Sequence, residues 1–79
     1  MGNLTQEELD YYEAPDDLAM TWEEDRSIDE DTSWRIVIMA EADVRDRRKK
    51  RPESDFKSHA EYKLYLLCLY DASLRADRR

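Results

Sequence analysis

The stretch SHAEYKLYLLCLYDASLRA, residues 58–76, decides the predicted fold. It opens with Ser58 and, three positions later, Glu61, which is the capping-box pattern of a helix N-terminus. Its apolar residues then fall on two helical faces. A surface helix of a small domain usually has one apolar stripe, so this helix is predicted to be central or to leave one face for a partner. The two faces are Tyr62, Tyr65, Leu66, Leu69 and Ala72, and Ala60, Leu64, Leu67 and Leu74.

The preceding apolar segment, WRIVIMAEADV at residues 34–44, has an ambiguous period. Alternation from Trp34 to Val44 would fit a strand, whereas Trp34, Val37 and Ile38 fit a helical stripe that ends at Val44. We predict a helix, because no other segment looks like a pairing strand and the residues that follow are rich in helix formers. Trp22 and Trp34 lie among acids, a pattern typical of binding anchors, but such residues are more often core than interface and both are expected to pack in the core.

This third helix should start at residues 31–33, where three good N-caps stand together, and end at Arg51, before Pro52. Glu41 would then lie inside the apolar stripe, where it is predicted to form a salt bridge or to mark an interface. The short connection to Ser58 predicts that segments 33–51 and 58–76 pack as antiparallel neighbours.

The N-terminal third contains two further helix signals. Thr5 and Glu8 form a second capping-box pattern, and the helix that follows should run to about Glu13 and stop before Pro15. Residues 15–17 are predicted to open a short helix that ends near residues 26–28. The predicted fold is therefore a single all-α domain over residues 1–79, with three to four helices. It divides into an acidic third, residues 1–33, and a helical hairpin, residues 33–76.

Charge is distributed unevenly along the chain, which has 20 acidic residues, 13 Lys and Arg, and a net charge of −7. Residues 1–33 contain twelve acids and one base, Arg26, and so have a net charge of −11. Residues 34–79 contain eight acids and twelve bases and so have a net charge of +4. Such asymmetry indicates an interaction surface.

The acidic third predicts a non-enzymatic protein-binding module with a basic protein partner. Carboxylates on helices can imitate a row of phosphates, so we expect a DNA mimic, an inhibitor or decoy that occludes the basic nucleic-acid-binding surface of a larger complex. Small phage-encoded anti-defence proteins, such as anti-CRISPR proteins, act in this way. The comparison is an analogy between classes of protein and not a sequence resemblance. A solvated face that keeps the protein soluble is the simpler explanation. The candidate contacts are Asp16, Asp17, Glu23, Glu24, Asp25, Asp29, Glu30 and Asp31, with Tyr11 and Tyr12 as aromatic anchors.

Two alternative functions use other parts of the chain. A structural or assembly subunit would pack through Leu64 and Leu67 into a homo-oligomer or a larger particle. Direct nucleic-acid binding would use the basic run RDRRKKR, although a helix C-terminus also favours Lys and Arg. The sequence leaves open whether this run pairs internally with the acidic third. Its cations are Arg45, Arg47, Arg48, Lys49, Lys50 and Arg51.

Few residues offer catalytic or metal chemistry. His59 and Cys68 are separated by about 13 Å of predicted helix, too far for a base and a nucleophile to meet. One His and one Cys cannot complete a zinc site, and the acids from Asp25 onward lack the Gly and Glu spacing of a calcium loop. We therefore predict no enzymatic activity, no cofactor and no metal. His59 should be solvated, and Cys68 should be a buried small apolar residue.

The sequence also predicts the cellular location. The N-terminus lacks the pattern of a signal peptide, and the longest apolar run, residues 64–70, is too short to span a bilayer. The protein is therefore expected to be soluble and cytoplasmic, in the host-cell cytoplasm if it is phage-encoded.

Overall fold

The computed structural model describes residues 3–77, which form four α-helices and no strand. The helices are α1 (Gln6–Tyr12), α2 (Trp22–Ser27), α3 (Glu30–Arg45) and α4 (His59–Asp77), and a single 3-10 turn, Glu53–Asp55, lies before α4. The main packing pair is α3 with α4, and α1 and α2 both pack against α4. The prediction of an all-α fold with a C-terminal helical hairpin is confirmed.

The start of α1 is the predicted capping box. The Thr5 hydroxyl accepts a hydrogen bond from the Glu8 N–H at 3.1 Å, and the Glu8 carboxylate accepts one from the Thr5 N–H at 2.8 Å. The helix ends at Tyr12, because the residues leading to Pro15 are extended. Tyr12 therefore closes α1 with its side chain in the core.

The second helix does not open at residues 15–17, so that prediction is wrong. Residues 15–18 form a single turn instead, in which the Leu18 N–H donates to the Pro15 carbonyl at 3.0 Å. The helix α2 begins after Thr21, whose hydroxyl accepts from the Glu24 N–H at 3.1 Å while the Glu24 carboxylate accepts from the Thr21 N–H at 3.0 Å. These reciprocal bonds satisfy the N–H groups of Thr21 and Glu24. A proline has neither an N–H nor a side-chain oxygen, so it cannot form such a capping box.

The third helix begins at Glu30, slightly before the predicted start. Asp29 is its N-cap, and the Asp29 carboxylate accepts hydrogen bonds from the Thr32 N–H at 3.2 Å and the Thr32 hydroxyl at 2.6 Å. Acidic residues in this first turn are favoured by the partial positive charge of the helix N-terminus.

The end of α3 at Arg45 corrects the prediction that this helix continues to Arg51. Arg47 has a φ of 55°, in the left-handed region. Its N–H donates to the Val44 carbonyl at 3.1 Å, and the Arg48 N–H donates to the Asp43 carbonyl at 2.8 Å. This pair of bonds is the Schellman motif that terminates helices, usually with glycine at the left-handed position. Because the position holds arginine, the sequence carries no signal for the turn.

The face that α3 buries differs from the predicted stripe, whereas α4 buries the first of its two predicted faces. The buried side chains of α3 are Ile36, Ala40, Asp43 and Val44, at the spacing of one helical face. Those of α4 include Tyr65, Leu69 and Ala72, as predicted for its first face. Trp34 and Ile38, which the predicted stripe placed inside, are 61% and 59% exposed.

Trp22 is also exposed, at 71%, so the prediction that both tryptophans pack in the core is wrong. The core cluster is built instead from Leu4 and Tyr12 of the N-terminal segment and from the buried faces of α3 and α4. Ala40 is completely buried in this cluster.

The start of α4 follows the predicted pattern in part. The Ser58 hydroxyl accepts a hydrogen bond from the Glu61 N–H at 3.2 Å, as in a capping box. The Glu61 carboxylate accepts from the Lys57 N–H at 3.3 Å, one residue before the N-cap. Both bonds hold the loop residues against the first turn of α4.

Candidate acidic interface

Two of the predicted contact acids have structural roles. The Glu24 carboxylate lies 2.8 Å from the Lys63 ammonium, which ties α2 to α4. The hydrogen bond from Lys63, with those from Thr21, lowers the pKa of Glu24 to about 2. Asp29 caps α3, and its hydrogen bonds from Thr32 lower its pKa. Both residues stabilise helix starts and are poor choices for a contact that must be free.

The other six predicted acids are exposed and form no salt bridge or side-chain hydrogen bond with any residue of the described chain. Glu23 and Asp25 lie in the first turn of α2, and Glu30 and Asp31 in the first turn of α3. Only Ile28 and Asp29 separate these two helices, so the four carboxylates are close along the chain. We call all six of these exposed acids together the acidic surface, and its members are Asp16, Asp17, Glu23, Asp25, Glu30 and Asp31.

The two predicted tyrosine anchors behave differently. Tyr12 is only 2% exposed, and its hydroxyl donates to the Arg48 carbonyl at 2.7 Å, so its prediction as a surface contact is wrong. Burial raises the pKa of Tyr12. Tyr11 is exposed, although its hydroxyl accepts from the Lys50 N–H at 2.8 Å and its ring lies 5.0 Å from the Lys50 ammonium. Both tyrosines therefore fix the loop that follows α3.

The basic run contacts the rest of the fold through backbone hydrogen bonds and through side chains that lie outside the acidic surface. Arg47 forms a salt bridge of 2.8 Å with Glu8. Arg45 and Arg48 approach the carboxylate of Asp46, within the run itself, at 3.5 and 3.7 Å. Glu8 is thus the one acid of residues 3–33 that forms a salt bridge with the run, so the run pairs with the acidic third at this one carboxylate.

Arg51 is held by a buried acid that sequence reasoning missed. Asp43 is 2% exposed, and its two oxygens accept hydrogen bonds from Arg51 Nε and Nη2 at 2.9 and 3.1 Å. The Tyr65 hydroxyl donates to the same carboxylate at 2.5 Å. Burial acts to raise the pKa of Asp43, but the hydrogen bonds from Arg51 and Tyr65 outweigh it and the pKa is lowered. The available signal was the spacing of Asp43 with Ile36 and Ala40, which places it on the buried face.

Two of the most exposed large apolar side chains, Trp34 and Ile38, lie on α3, whereas α4 exposes Leu74. Trp34 and Val37, together with Glu30 and Ser33, line an open groove of about 300 Å³. Leu64 and Leu67, predicted as oligomer contacts, are half-buried, and Leu64 packs against the core. Glu41 forms a salt bridge of 2.9 Å with Arg75, which is one of the two roles predicted for it.

The groups with possible chemical reactivity are few and separated. Burial raises the pKa of the half-buried Cys68 thiol, which disfavours the nucleophilic thiolate. His59 is exposed, with Nδ1 2.9 Å from the Glu53 carboxylate. Within residues 3–77 no three His, Cys, Asp or Glu side chains group as metal ligands would.

None of the described helices is both long and apolar enough to cross a bilayer.

Comparison with known proteins identified no relative of this chain. Neither the protein-family models, nor the curated proteins, nor the solved structures that were searched contain a match to the chain.

Proposed function

We propose that the protein is a non-enzymatic binding module whose acidic surface covers a basic, nucleic-acid-binding surface of a partner protein. The observation that carries the proposal is that this surface remains exposed and unpaired, while Arg47 and Arg51 of the basic run pair with Glu8 and Asp43. An inhibitor or decoy of this kind presents carboxylates where the partner's groove would receive phosphates.

The acids of the first third are largely unneutralised. Within residues 3–33 only Glu8 and Glu24 form salt bridges, with Arg47 and Lys63. Arg26, the one base of this third, lies with its guanidinium 4.6 Å from the Trp22 ring rather than on a carboxylate. The negative field of the acidic surface is therefore available to attract a basic partner and to speed association.

The acidic and basic ends of α3 are also electrostatically independent. Glu30 and Arg45 are fifteen positions apart, which is about 22 Å along the helix. The Debye length at physiological ionic strength is about 8 Å, so the cations at one end hardly screen the carboxylates at the other. A basic partner approaching the N-terminal ends of α2 and α3 meets mainly negative charge.

Direct nucleic-acid binding by the basic run is the less favoured function. Arg51 is committed to Asp43, and Arg47 to Glu8. The more exposed cations Arg45 and Arg48 share the run with Asp46, which lies near both. A phosphate row would have to displace that carboxylate or accept its repulsion.

The test begins with affinity capture from a host lysate and identification of the bound protein by mass spectrometry. The purified partner is then loaded with labelled nucleic acid, and displacement by this protein is measured at rising salt. We expect competition that weakens as salt increases. A variant with Glu23→Gln, Asp25→Asn and Glu30→Gln should lose it.

A matched control removes three other exposed carboxylates, through Glu7→Gln, Glu13→Gln and Asp55→Asn, and should compete nearly as well as the wild type. If the partner binds no nucleic acid, or if both triple variants compete equally, the proposed function is wrong. A gel shift with labelled DNA and RNA at physiological salt, lost on combining Arg45→Ala, Arg48→Ala and Lys49→Ala, would favour the direct alternative instead.

A further inference from the structure

The outer face of α3 carries an ordered pattern that the acidic surface does not explain. Asp31, Trp34, Ile38 and Arg45 follow one another at spacings of three, four and seven, so they lie along one side of the helix. This side is opposite the buried face around Ala40. We define the outer face of α3 as Asp31, Trp34, Arg35, Ile38, Glu41 and Arg45.

The outer face differs from the acidic surface in charge. It contains two acids and two bases, so its net charge is zero. Two of its side chains, Trp34 and Ile38, are the most exposed apolar groups of α3. A strongly basic partner would meet Arg35 and Arg45 here and be repelled. The face therefore requires a partner with the same balance of charge and apolar surface.

The order of residues on this face is complementary to itself when reversed about Ile38. Asp31 and Arg45 each lie seven residues from Ile38, and Arg35 and Glu41 each lie three residues from it. Two copies placed antiparallel with Ile38 at the centre would bring Asp31 of each copy to Arg45 of the other. Glu41 is already paired with Arg75 of its own chain, so the charge complementarity of the face rests on the Asp31 and Arg45 contacts.

The exposed apolar side chains Trp34 and Ile38 lie between these two charged positions, so the same antiparallel pairing would bury them against the other copy. A parallel arrangement would place Asp31 against Asp31 and Arg45 against Arg45, and it would align the two helix dipoles unfavourably.

We propose that the outer face of α3 is a homodimer interface in which two copies pack antiparallel around a two-fold axis at Ile38. Such an interface is isologous, since each copy contributes the same residues. A single helix pair is small, so the dimer is in concentration-dependent equilibrium with the monomer. The pairing would cover Trp34 and Ile38 and would engage Asp31 of the acidic surface, and it would leave Glu23 and Asp25 outside the contact.

The decisive experiment uses two charge-reversed variants, Asp31→Arg and Arg45→Asp, in analytical ultracentrifugation from micromolar to millimolar concentration. By symmetry each variant alone converts two attractive contacts into repulsive ones, so its dissociation constant should rise about tenfold or more. An equimolar mixture of the two should associate again. In that mixed dimer the two substituted side chains meet each other with opposite charges, and the second contact keeps the native pair.

Matched controls reverse an exposed charge outside α3, with Asp16→Arg for the acid and Lys49→Asp for the base. They should dimerise as the wild type does. A second readout uses Trp22→Phe, which leaves Trp34 as the single tryptophan, whose fluorescence should shift to the blue as concentration rises. Circular dichroism confirms that each variant is folded.

Three results would overturn the proposal. The first is a wild type that remains monomeric over the whole concentration range. The second is a dimer that both single variants leave unchanged, which would indicate another face such as the one around Leu64 and Leu67. The third is a mixture of Asp31→Arg and Arg45→Asp that associates no better than either variant alone.

Discussion

Replacement of Asp43 by asparagine should destabilise this protein more than replacement of any exposed acid. The carboxylate of Asp43 is buried, and it accepts two hydrogen bonds from Arg51 and one from Tyr65. Asparagine has nearly the same shape but removes the charge and turns one acceptor oxygen into an NH₂ donor. At least one donor of Arg51 or Tyr65 then faces another donor in a buried position.

The magnitude follows from these contacts. A hydrogen bond to a charged group contributes about 1.5–3 kcal/mol, and removal of one member of a buried ion pair costs about 3–5 kcal/mol. The Arg51 side chain is 36% exposed, so water can solvate part of its charge and the loss is smaller. We expect Asp43→Asn to lower the free energy of unfolding by about 3 kcal/mol. Domains of this length have a total of about 4–12 kcal/mol.

The assay is urea denaturation followed by far-UV circular dichroism near pH 7. Asp46→Asn is the matched control, because Asp46 is an exposed acid of the same segment that lies near Arg45 and Arg48. It should change the free energy of unfolding by less than about 0.5 kcal/mol. The reasoning is refuted if Asp43→Asn loses less than about 1 kcal/mol or no more than the control. A double-mutant cycle with Tyr65→Phe should show coupling between the two sites.

Three further predictions concern helix ends and acid stability. Arg47→Gly should be more stable than Arg47→Ala by about 0.5–1 kcal/mol in urea denaturation, because both lose the side chain but only glycine relieves the left-handed backbone; equal stabilities would contradict this. Thr5→Ala should lower the melting temperature by about 4–8 °C through loss of the α1 cap, whereas Thr5→Ser should not. The folded pKa of Glu24 lies below its usual value of 4.5, so its stabilising contribution is complete above that value and is lost as the pH falls towards about 2. The difference in unfolding midpoint between wild type and Glu24→Gln should shrink over this range in denaturation series, and a constant difference would exclude the mechanism.

Local patterns predicted the features that depend on neighbouring residues. The capping box at Thr5 needs only one turn of chain, and the structure contains both of its bonds. The helical character of residues 34–44 and 59–76 follows from composition and apolar content. The charge division between residues 1–33 and the remainder is a property of the sequence alone. The helix starts that carry the acidic candidates were not predicted, because α2 begins after Thr21 and α3 after Asp29.

Which acids remain free could not be read in the same way. Glu24 looks like Glu23 in sequence, but Lys63 reaches Glu24 from 39 residues away. Tyr12 looks like Tyr11, but its ring is buried and its hydroxyl bonds a carbonyl 36 residues later. These distinctions depend on contacts between helices that are distant along the chain.

By itself the sequence determined an acidic, helical chain with marked starts for α1 and α4 and a strong division of charge, because caps, propensities and net charge act over a few residues. The tertiary structure decided that α3 turns Ile36 and Ala40 inward and Trp34 and Ile38 outward, since both stripes fit a helical period. It also decided that the helix stops at Arg45. Arg47 adopts a left-handed conformation in the turn that follows. Three contacts hold this turn in place: the hydrogen bond from Tyr12 to Arg48, the salt bridge of Arg47 with Glu8, and that of Arg51 with Asp43. Those contacts exist only after distant segments pack together.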